Sequence, residues 1–307
     1  MLKTVSISQS FMSAQNVSLE NPTDKHPNPP FPEQQQEVPG HESDLTPKAD
    51  HGEESYKGSG KLEGMKALIT GGDSGIGRAV AIAYAREGAD VMISYLNEHD
   101  DAKETARWVE QAGRKAIVAP GDISNEDHCK SLVQRCVEEL GGLDILVNNA
   151  AYQMTHKSIQ EWSSEEIQRT FQTNIISMFW FCKAAEPHLK PGSSVINTSS
   201  VNAYSPSPEL LAYATTKGAI QNFTAGLAQL WGEKGIRVNC VAPGPIWTPL
   251  IPSTMPPEKV KNFGKDTPLG RAGQPAELAG AYVLLASKEG SYMNGSTVQV
   301  TGGRPTI

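Results

Sequence analysis

The chain has 307 residues, of which 38% are hydrophobic, so it can bury a substantial core as one large domain with appendages. Its formal net charge is -7 and it contains no block of Lys and Arg, which argues against a surface for nucleic acid or for an anionic membrane. We therefore expect small molecules or other protein chains as partners.

Residues 1–60 are polar and rich in proline, with prolines at positions 22, 27, 29, 30, 32 and 39. Proline fixes φ and lacks an N–H, so this segment predicts extended chain rather than long helix. Two interpretations remain open. The segment is either a disordered tail or an arm that lies on a folded surface and is anchored by residues such as Phe31 and Tyr56.

Residues 61–307 alternate short apolar runs with amphipathic segments. The apolar runs predict strands at 66–70, 90–95, 115–120, 143–148, 193–199, 236–242 and 297–301. Helix-length stretches such as 75–87, 101–113 and 125–140 lie between them. This alternation predicts an α/β fold: a doubly wound, parallel, seven-stranded sheet of the Rossmann type, forming a single domain with an extended N-terminal arm.

The four cysteines are scattered, and none has a second Cys or a His at metal-ligand spacing. We therefore expect reduced thiols and no metal site. The first twenty residues lack the apolar core of a secretory signal, and no apolar run is long enough to span a membrane. These observations predict a cytoplasmic protein.

A glycine cluster, TGGDSGIG, follows the first predicted strand directly. Gly71, Gly75 and Gly77 allow a tight turn and close approach of the backbone to a pyrophosphate, and the helix that follows offers free N–H groups. The loop, which also contains Asp73, Ser74 and Ile76, predicts a dinucleotide-binding site at the start of the domain.

Further along the chain, Tyr213 precedes Lys217 by four positions, so a helix would place both side chains on one face. Ser200 comes at the end of the fifth predicted strand, at the edge of a parallel sheet where ligands bind. The spacing of the glycines, the NNA after the fourth strand and the Y-x-x-x-K together resemble the short-chain dehydrogenase/reductase family over residues 62–304. The leader and the glycine loop resemble its subgroup of bacterial general-stress oxidoreductases and glucose/ribitol dehydrogenase homologues.

The resemblance implies a catalytic set of Asn174, Ser200, Tyr213 and Lys217. Tyr213 would act as the general acid or base, and Ser200 would hold the reacting oxygen. Lys217 and the positive charge of an oxidised nicotinamide would lower the pKa of Tyr213 from about 10. Lys217 would also bind the nicotinamide ribose, and Asn174 would hold a water that links Lys217 to solvent.

The resemblance also implies contacts to the cofactor beyond the glycine loop. They comprise Tyr95, Leu96, Asp122, Ile123, Asn149, Ala150, Pro243, Gly244, Ile246 and Thr248, together with Tyr213 and Lys217. Neither Tyr95 nor Leu96 carries the charge that normally separates NAD from NADP, but Asp73 would repel an added phosphate, which slightly favours NAD. Ala151 stands where the family most often has glycine, which narrows the space beside the ribose.

The residues expected to contact the substrate are Gln153, Tyr204 and Trp247, with Met154, Asn202 and Ser207 nearby, and residues 249–268 are expected to form a lid. This mixture favours hydride exchange with the alcohol or carbonyl group of a small sugar, polyol or aldehyde. The alternatives are a ketoacyl- or enoyl-type reductase that uses NADPH, and a non-catalytic dinucleotide sensor.

Two segments, 163–189 and 208–232, are richer in apolar residues than a single buried face needs. In the family the corresponding helices pair between subunits. We therefore predict a homotetramer whose N-terminal arm crosses to a neighbour, a prediction that a monomer in light scattering would contradict.

Overall fold

The protein, described here from a computed structural model over residues 19–306, forms one seven-stranded parallel sheet with helices on both faces. The strand order is β3-β2-β1-β4-β5-β6-β7. The strands are β1 (Lys66–Thr70), β2 (Asp90–Tyr95), β3 (Ala116–Pro120), β4 (Ile145–Asn148), β5 (Ser194–Thr198), β6 (Arg237–Pro243) and β7 (Thr297–Val300). The predicted fold class is confirmed.

The helices connect the strands across the two faces of the sheet. They are α1 (Gly75–Arg86), α2 (His99–Gln111), α3 (Glu126–Leu140), α4 (Ser164–Phe171), α5 (Ser177–Ala185), α6 (Leu211–Trp231), α7 (Leu250–Thr254), α8 (Pro257–Lys261) and α9 (Ala276–Ala286). A π-helical turn, Gln172–Ile176, joins α4 to α5. The chain order reverses between β1 and β4, which opens a crevice at the carboxyl ends of these strands.

Neighbouring residues of each strand point to opposite faces, so the two helical layers have separate cores. Ile69 of β1 packs with Tyr84 of α1 and Tyr282 of α9 on one face. Leu68 packs on the other face, in a cluster that includes Phe181 of α5. Because both faces are covered, each strand carries buried apolar residues on both sides, and the apolar runs made the strands recognisable in the sequence.

Residues 19–60 form an arm that lies on the domain of the same chain. Phe31 and Leu45 are buried beside Trp247, and the ring centroids of Phe31 and Trp247 are 4.2 Å apart. For residues 19–60 the structure agrees with the second interpretation, an arm that lies on the folded surface. Residues 1–18 lie outside the described residues. Within residues 19–60 the apolar side chains Phe31 and Leu45 are buried against their own domain, and the predicted crossing of the arm to a neighbour stays a prediction.

Several apolar side chains of α5 and α6 face outward, including Phe179 (55% exposed) and Leu230 (70% exposed). These are the segments from which a homotetramer was predicted, and that assembly stays a prediction. The helices within residues 19–306 lack the combination of length and apolarity that crossing a membrane requires.

Candidate active site

A cavity of about 750 Å³ opens at the carboxyl ends of the strands. Its walls are the glycine-rich loop after β1, the segments that follow β2 to β6, the first turns of α6, and the lid formed by α7 and α8. This position follows from the reversal of strand order between β1 and β4, where open α/β sheets bind their ligands.

The glycine-rich loop needs its glycines for two different reasons. Gly71 and Gly75 have φ of 62° and 48°, a left-handed conformation that side chains disfavour. Gly77 does not line the cavity but lies behind the loop, where an added Cβ would stand 1.8 Å from the carbonyl oxygen of Gly71. The third glycine therefore allows α1 to pack closely against the turn.

The side chains of Tyr213, Lys217 and Ser200 converge in this cavity. Tyr213 and Lys217 are on one face of α6, and the Lys217 Nζ lies 5.1 Å from the centroid of the Tyr213 ring. The Ser200 side chain lies close enough to the Tyr213 phenol to lower its pKa, and Lys217 Nζ donates to the Thr198 carbonyl at 2.8 Å. The three residues stand where the sequence predicted a proton-transfer site.

Burial dominates the acid-base properties of this group. It raises the pKa of Tyr213 to about 12, against the opposite effect of the nearby Ser200 side chain, and it lowers the pKa of Lys217 to about 8. Without a bound cofactor, Lys217 therefore does not lower the pKa of Tyr213 in the way that the sequence predicted. Lys217 directs its ammonium to the Thr198 carbonyl rather than to the phenol oxygen.

Asn174 lies outside the cavity lining, in the π-helical turn between α4 and α5. Its side chain accepts a hydrogen bond from Tyr152 N at 2.7 Å, and donates to Tyr152 O at 2.8 Å and to Thr216 Oγ1 at 3.1 Å. It thereby ties the segment after β4 to α6, the helix that carries Tyr213. Its predicted role in holding a water stays a prediction.

Most of the residues predicted to contact the cofactor line the cavity. They are Gly71, Asp73, Ser74, Gly75, Ile76, Tyr95, Leu96, Asp122, Ile123, Asn149, Ala150, Tyr213, Lys217, Pro243, Gly244, Ile246 and Thr248. Asn149 also shapes the loop, because its Nδ2 donates to the carbonyl oxygens of Thr70 (3.2 Å) and Gly71 (3.1 Å).

One corner of the cavity is acidic. Asp73 and Glu98 both line it, and Asp73 Oδ2 is buried with no hydrogen-bond partner within residues 19–306. Burial, together with the nearby Glu98 and Asp101, raises the pKa of Asp73 to about 7. Glu98 escaped the sequence analysis, although it follows β2 by three positions and lies at the start of α2.

Two of the predicted substrate contacts, Trp247 and Tyr204, lie outside the cavity lining, and their role stays a prediction. Trp247 is fully buried, and its Nε1 donates to the Pro47 carbonyl at 2.8 Å, so it forms the seat of the arm. Tyr204 is partly exposed and lies outside the cavity lining. Gln153 does line the cavity, and its Nε2 donates to Thr254 Oγ1 of the lid at 2.7 Å.

Other residues of the lining were missed. The arm contributes Val38, Pro39 and Gly40 to the cavity lining. No local sequence pattern predicts this contact. Arg169 of α4 also lines it and pairs with Asp122 at 2.8 Å. Asn202 and Ser207 line the cavity as the sequence suggested, whereas Met154 does not.

A profile of the family described as "Enoyl-(Acyl carrier protein) reductase" matches residues 71–304, most of the chain. General stress protein 39 of Bacillus subtilis (strain 168) is 56% identical over 269 residues, which span 88% of this chain and 94% of that protein. The chain belongs to the short-chain dehydrogenase/reductase family.

Other members of the short-chain dehydrogenase/reductase family differ in what their names say of substrate and cofactor. "Glucose and ribitol dehydrogenase" of Daucus carota is 45% identical over 280 residues (89% of this chain, 96% of that protein). "NADPH-dependent aldehyde reductase 1, chloroplastic" of Arabidopsis thaliana is 46% identical over 278 residues (88% and 96%).

Solved structures of short-chain dehydrogenase/reductases match the fold described above. A Burkholderia cenocepacia J2315 enzyme in complex with NADP has a TM-score of 0.74 and 32% identity, covering 79% of this chain and 98% of that one. A 3-ketoacyl-(acyl-carrier-protein) reductase from Brucella melitensis complexed with NADH has a TM-score of 0.73 and 31% identity, covering 80% and 100%.

Proposed function

We propose that the protein transfers a hydride between a nicotinamide dinucleotide and the alcohol or carbonyl group of a small polar substrate. The observation that carries this proposal is the convergence of Tyr213, Ser200 and Lys217 in one cavity with the glycine-rich loop. The residues fit such a cofactor, since an added Cβ at Gly75 would intrude on the cavity wall, 2.9 Å from the Thr248 side chain.

The bound dinucleotide would supply or accept the hydride, and side chains of the protein would transfer the proton. Tyr213 donates its phenolic proton to the carbonyl oxygen during reduction, or removes the hydroxyl proton during oxidation. Ser200 holds that oxygen beside the phenol. Lys217, whose pKa of about 8 lies near neutrality, would carry a proton close to the Tyr213 ring and, together with the positive charge of an oxidised nicotinamide, favour the phenolate.

A small polyol or aldehyde suits the polar side chains near Tyr213. Gln153, Asn202 and Ser207 offer amide and hydroxyl groups to a substrate with several oxygens. The names of the carrot and Arabidopsis relatives support this class. The family description and the Brucella structure favour a second candidate, an acyl-chain reductase.

A screen of the purified chain tests these alternatives. We expect turnover with ribitol, glucose, other polyols or short aldehydes, measured as a change of nicotinamide absorbance with NAD and with NADP. Turnover of ketoacyl or enoyl substrates alone would favour the acyl reductase. Dinucleotide binding with no turnover of any substrate would favour the non-catalytic sensor.

We propose further that NAD binds more tightly than NADP, because the acidic corner formed by Asp73 and Glu98 would face the adenosine ribose. An ionised Asp73 accepts hydrogen bonds from ribose hydroxyls and repels a 2'-phosphate. Below pH 7 Asp73 gains a proton, and above pH 7 it is charged. The preference for NAD should therefore grow as the pH rises from 6 to 8.

Asp73→Asn should lower the Kd for NADP about tenfold at pH 8 and remove most of its pH dependence, since a unit charge near a phosphate costs a few kcal/mol. The measurement is fluorescence titration with both dinucleotides. Asp100→Asn, at an exposed position of α2, is the matched control and should change neither Kd. An unchanged ratio of the two Kd values in Asp73→Asn would contradict this preference.

A further inference from the structure

The arm joins two parts of the cavity wall that are far apart in the sequence. At its start it is bound to the lid, because Phe31 N donates to Lys261 O at 2.8 Å and Gln36 N donates to Pro252 O at 3.0 Å. Eleven positions after Phe31, Glu42 reaches the glycine-rich loop, where its Oε1 accepts a hydrogen bond from Gly75 N at 2.7 Å.

The segment between these two attachments packs closely against the lid and the cavity. Val38, Pro39 and Gly40 line the cavity themselves. Gly40 passes so close to the lid that an added Cβ would lie 2.6 Å from the Pro249 carbonyl oxygen. The position of the arm, the start of the lid and the glycine-rich loop are therefore fixed by one another.

Glu42 is a buried carboxylate at the N-terminal end of the twelve-residue helix α1. Its second partner is His51, whose Nε2 lies 2.8 Å from Glu42 Oε1. Its own backbone N–H donates to Asp101 Oδ2 at 3.0 Å. The Glu42 carboxylate therefore accepts the first N–H of α1 and pairs with His51. The Glu42 backbone is held in addition by Asp101 of α2.

His51 balances the charge of Glu42. Burial opposes protonation of His51, but its contacts with Glu42 and Glu53, both at 2.8 Å, raise its pKa to about 9. Burial also opposes ionisation of Glu42, but protonated His51 and the Gly75 N–H hold the Glu42 pKa below its usual value. At neutral pH the two residues form an ion pair behind the loop.

Other charged groups complete the surroundings of this pair. Arg78 of α1 lies close enough to affect both residues, and it forms an ion pair with Asp101 at 3.2 Å. His41 Nδ1 lies 3.7 Å from Asp101 Oδ2. Arg78 is always charged and Asp101 pairs with it, while Lys48 Nζ donates to the Glu42 carbonyl at 3.2 Å. His51 is the group in contact with the Glu42 carboxylate whose charge changes near pH 9.

We propose that Glu42 is a positioning residue for the cofactor: it orients the glycine-rich loop through the Gly75 N–H, and its pairing with His51 offsets part of the negative charge that Glu42 and Glu53 bring to this end of α1. The arm is on this basis a working part of the cofactor site rather than a cover. The inference rests on the proposed dinucleotide site and goes beyond it, because it assigns a role to a segment outside the matched family region.

The direction of the pH effect follows from the pair. Below pH 9 protonated His51 offsets the Glu42 carboxylate, so the loop end of α1 attracts the cofactor's diphosphate. Above pH 9 His51 becomes neutral and leaves the carboxylate unbalanced at the same helix end. The Kd for the dinucleotide should therefore rise as the pH passes through about 9.

Glu42→Gln separates positioning from mere packing, because it keeps the size of the side chain and removes its charge. We expect the Kd for NAD to rise about tenfold at pH 7.5, since a charge-assisted hydrogen bond to the loop is lost, with kcat at saturating cofactor changed less than threefold. The rise of Kd near pH 9 should disappear in Glu42→Gln and in His51→Gln.

Glu37→Gln is the matched control, since Glu37 is an exposed residue of the same arm, and it should leave Kd and its pH profile unchanged. Thermal melts verify that each variant is folded. A Kd that is unchanged or lower in Glu42→Gln, with the pH profile of the unaltered chain retained, overturns this inference alone. Failure of the unaltered chain to bind either dinucleotide overturns the proposed function as well.

Discussion

Replacing Tyr213 by phenylalanine should reduce kcat by a factor of at least about 1,000 while leaving the Kd for the dinucleotide within about threefold. The phenol lines the cavity beside Ser200, where it would exchange a proton with the substrate oxygen, and general acid-base catalysis contributes roughly 100- to 10,000-fold. Removing only its oxygen keeps the ring that packs beside Lys217. The measurement combines turnover with the best substrate of the screen and titration of the cofactor.

Tyr204→Phe is the matched control, because it makes the same chemical change on a ring outside the cavity lining. Its kcat should stay within about twofold of the unaltered chain. Retention of more than a tenth of the original kcat by Tyr213→Phe would remove the phenol from the mechanism. A large loss in Tyr204→Phe would instead restore Tyr204 as a substrate contact.

Gly77→Ala should abolish measurable dinucleotide binding and lower the free energy of unfolding by about 3 kcal/mol. The new methyl group would stand 1.8 Å from Gly71 O and 2.8 Å from Asn149 Nδ2, so the loop or α1 has to shift. Overpacking against backbone typically costs about 1–3 kcal/mol, and this contact is at the severe end. Urea unfolding and cofactor titration measure the two effects.

Gly280→Ala provides the comparison for that variant. Gly280 is an exposed glycine inside α9, and an added Cβ meets no atom within 4 Å. The same substitution there should stabilise the helix by about 0.5–1 kcal/mol through its propensity and leave cofactor binding unchanged. Normal cofactor binding by a folded Gly77→Ala protein would contradict the prediction that the loop cannot accommodate a side chain at position 77.

The sheet was predictable because the signal for each strand is local. A strand covered on both faces is an unbroken apolar run, and β1 and β2 begin and end where the sequence predicted. The glycine-rich loop and the Tyr213–Lys217 pair were equally accessible, since each depends on the conformation of a few adjacent residues. Local geometry and chemistry agree at these positions.

The residues that were missed or misplaced depend on contacts between distant parts of the chain. Trp247 was predicted to face a substrate because it follows a ligand-binding segment, but its partner Pro47 lies 200 positions earlier. Glu42 and Gly75 are 33 positions apart, and no periodic pattern joins them. Asn174 belongs to the right region, yet the π-helical turn directs its amide to Tyr152 rather than to the cavity lining.

The docking of the arm also has a consequence for the order in which the molecule is completed during synthesis. Phe31 and Leu45 leave the ribosome early, whereas Trp247, Val260 and Ala272, which form their seat, are among the last parts to be made. The arm can therefore dock on the domain only when translation is nearly finished. A nascent chain stopped before residue 247 has the glycine-rich loop and Glu42, but it lacks the residues against which Phe31 and Leu45 are buried.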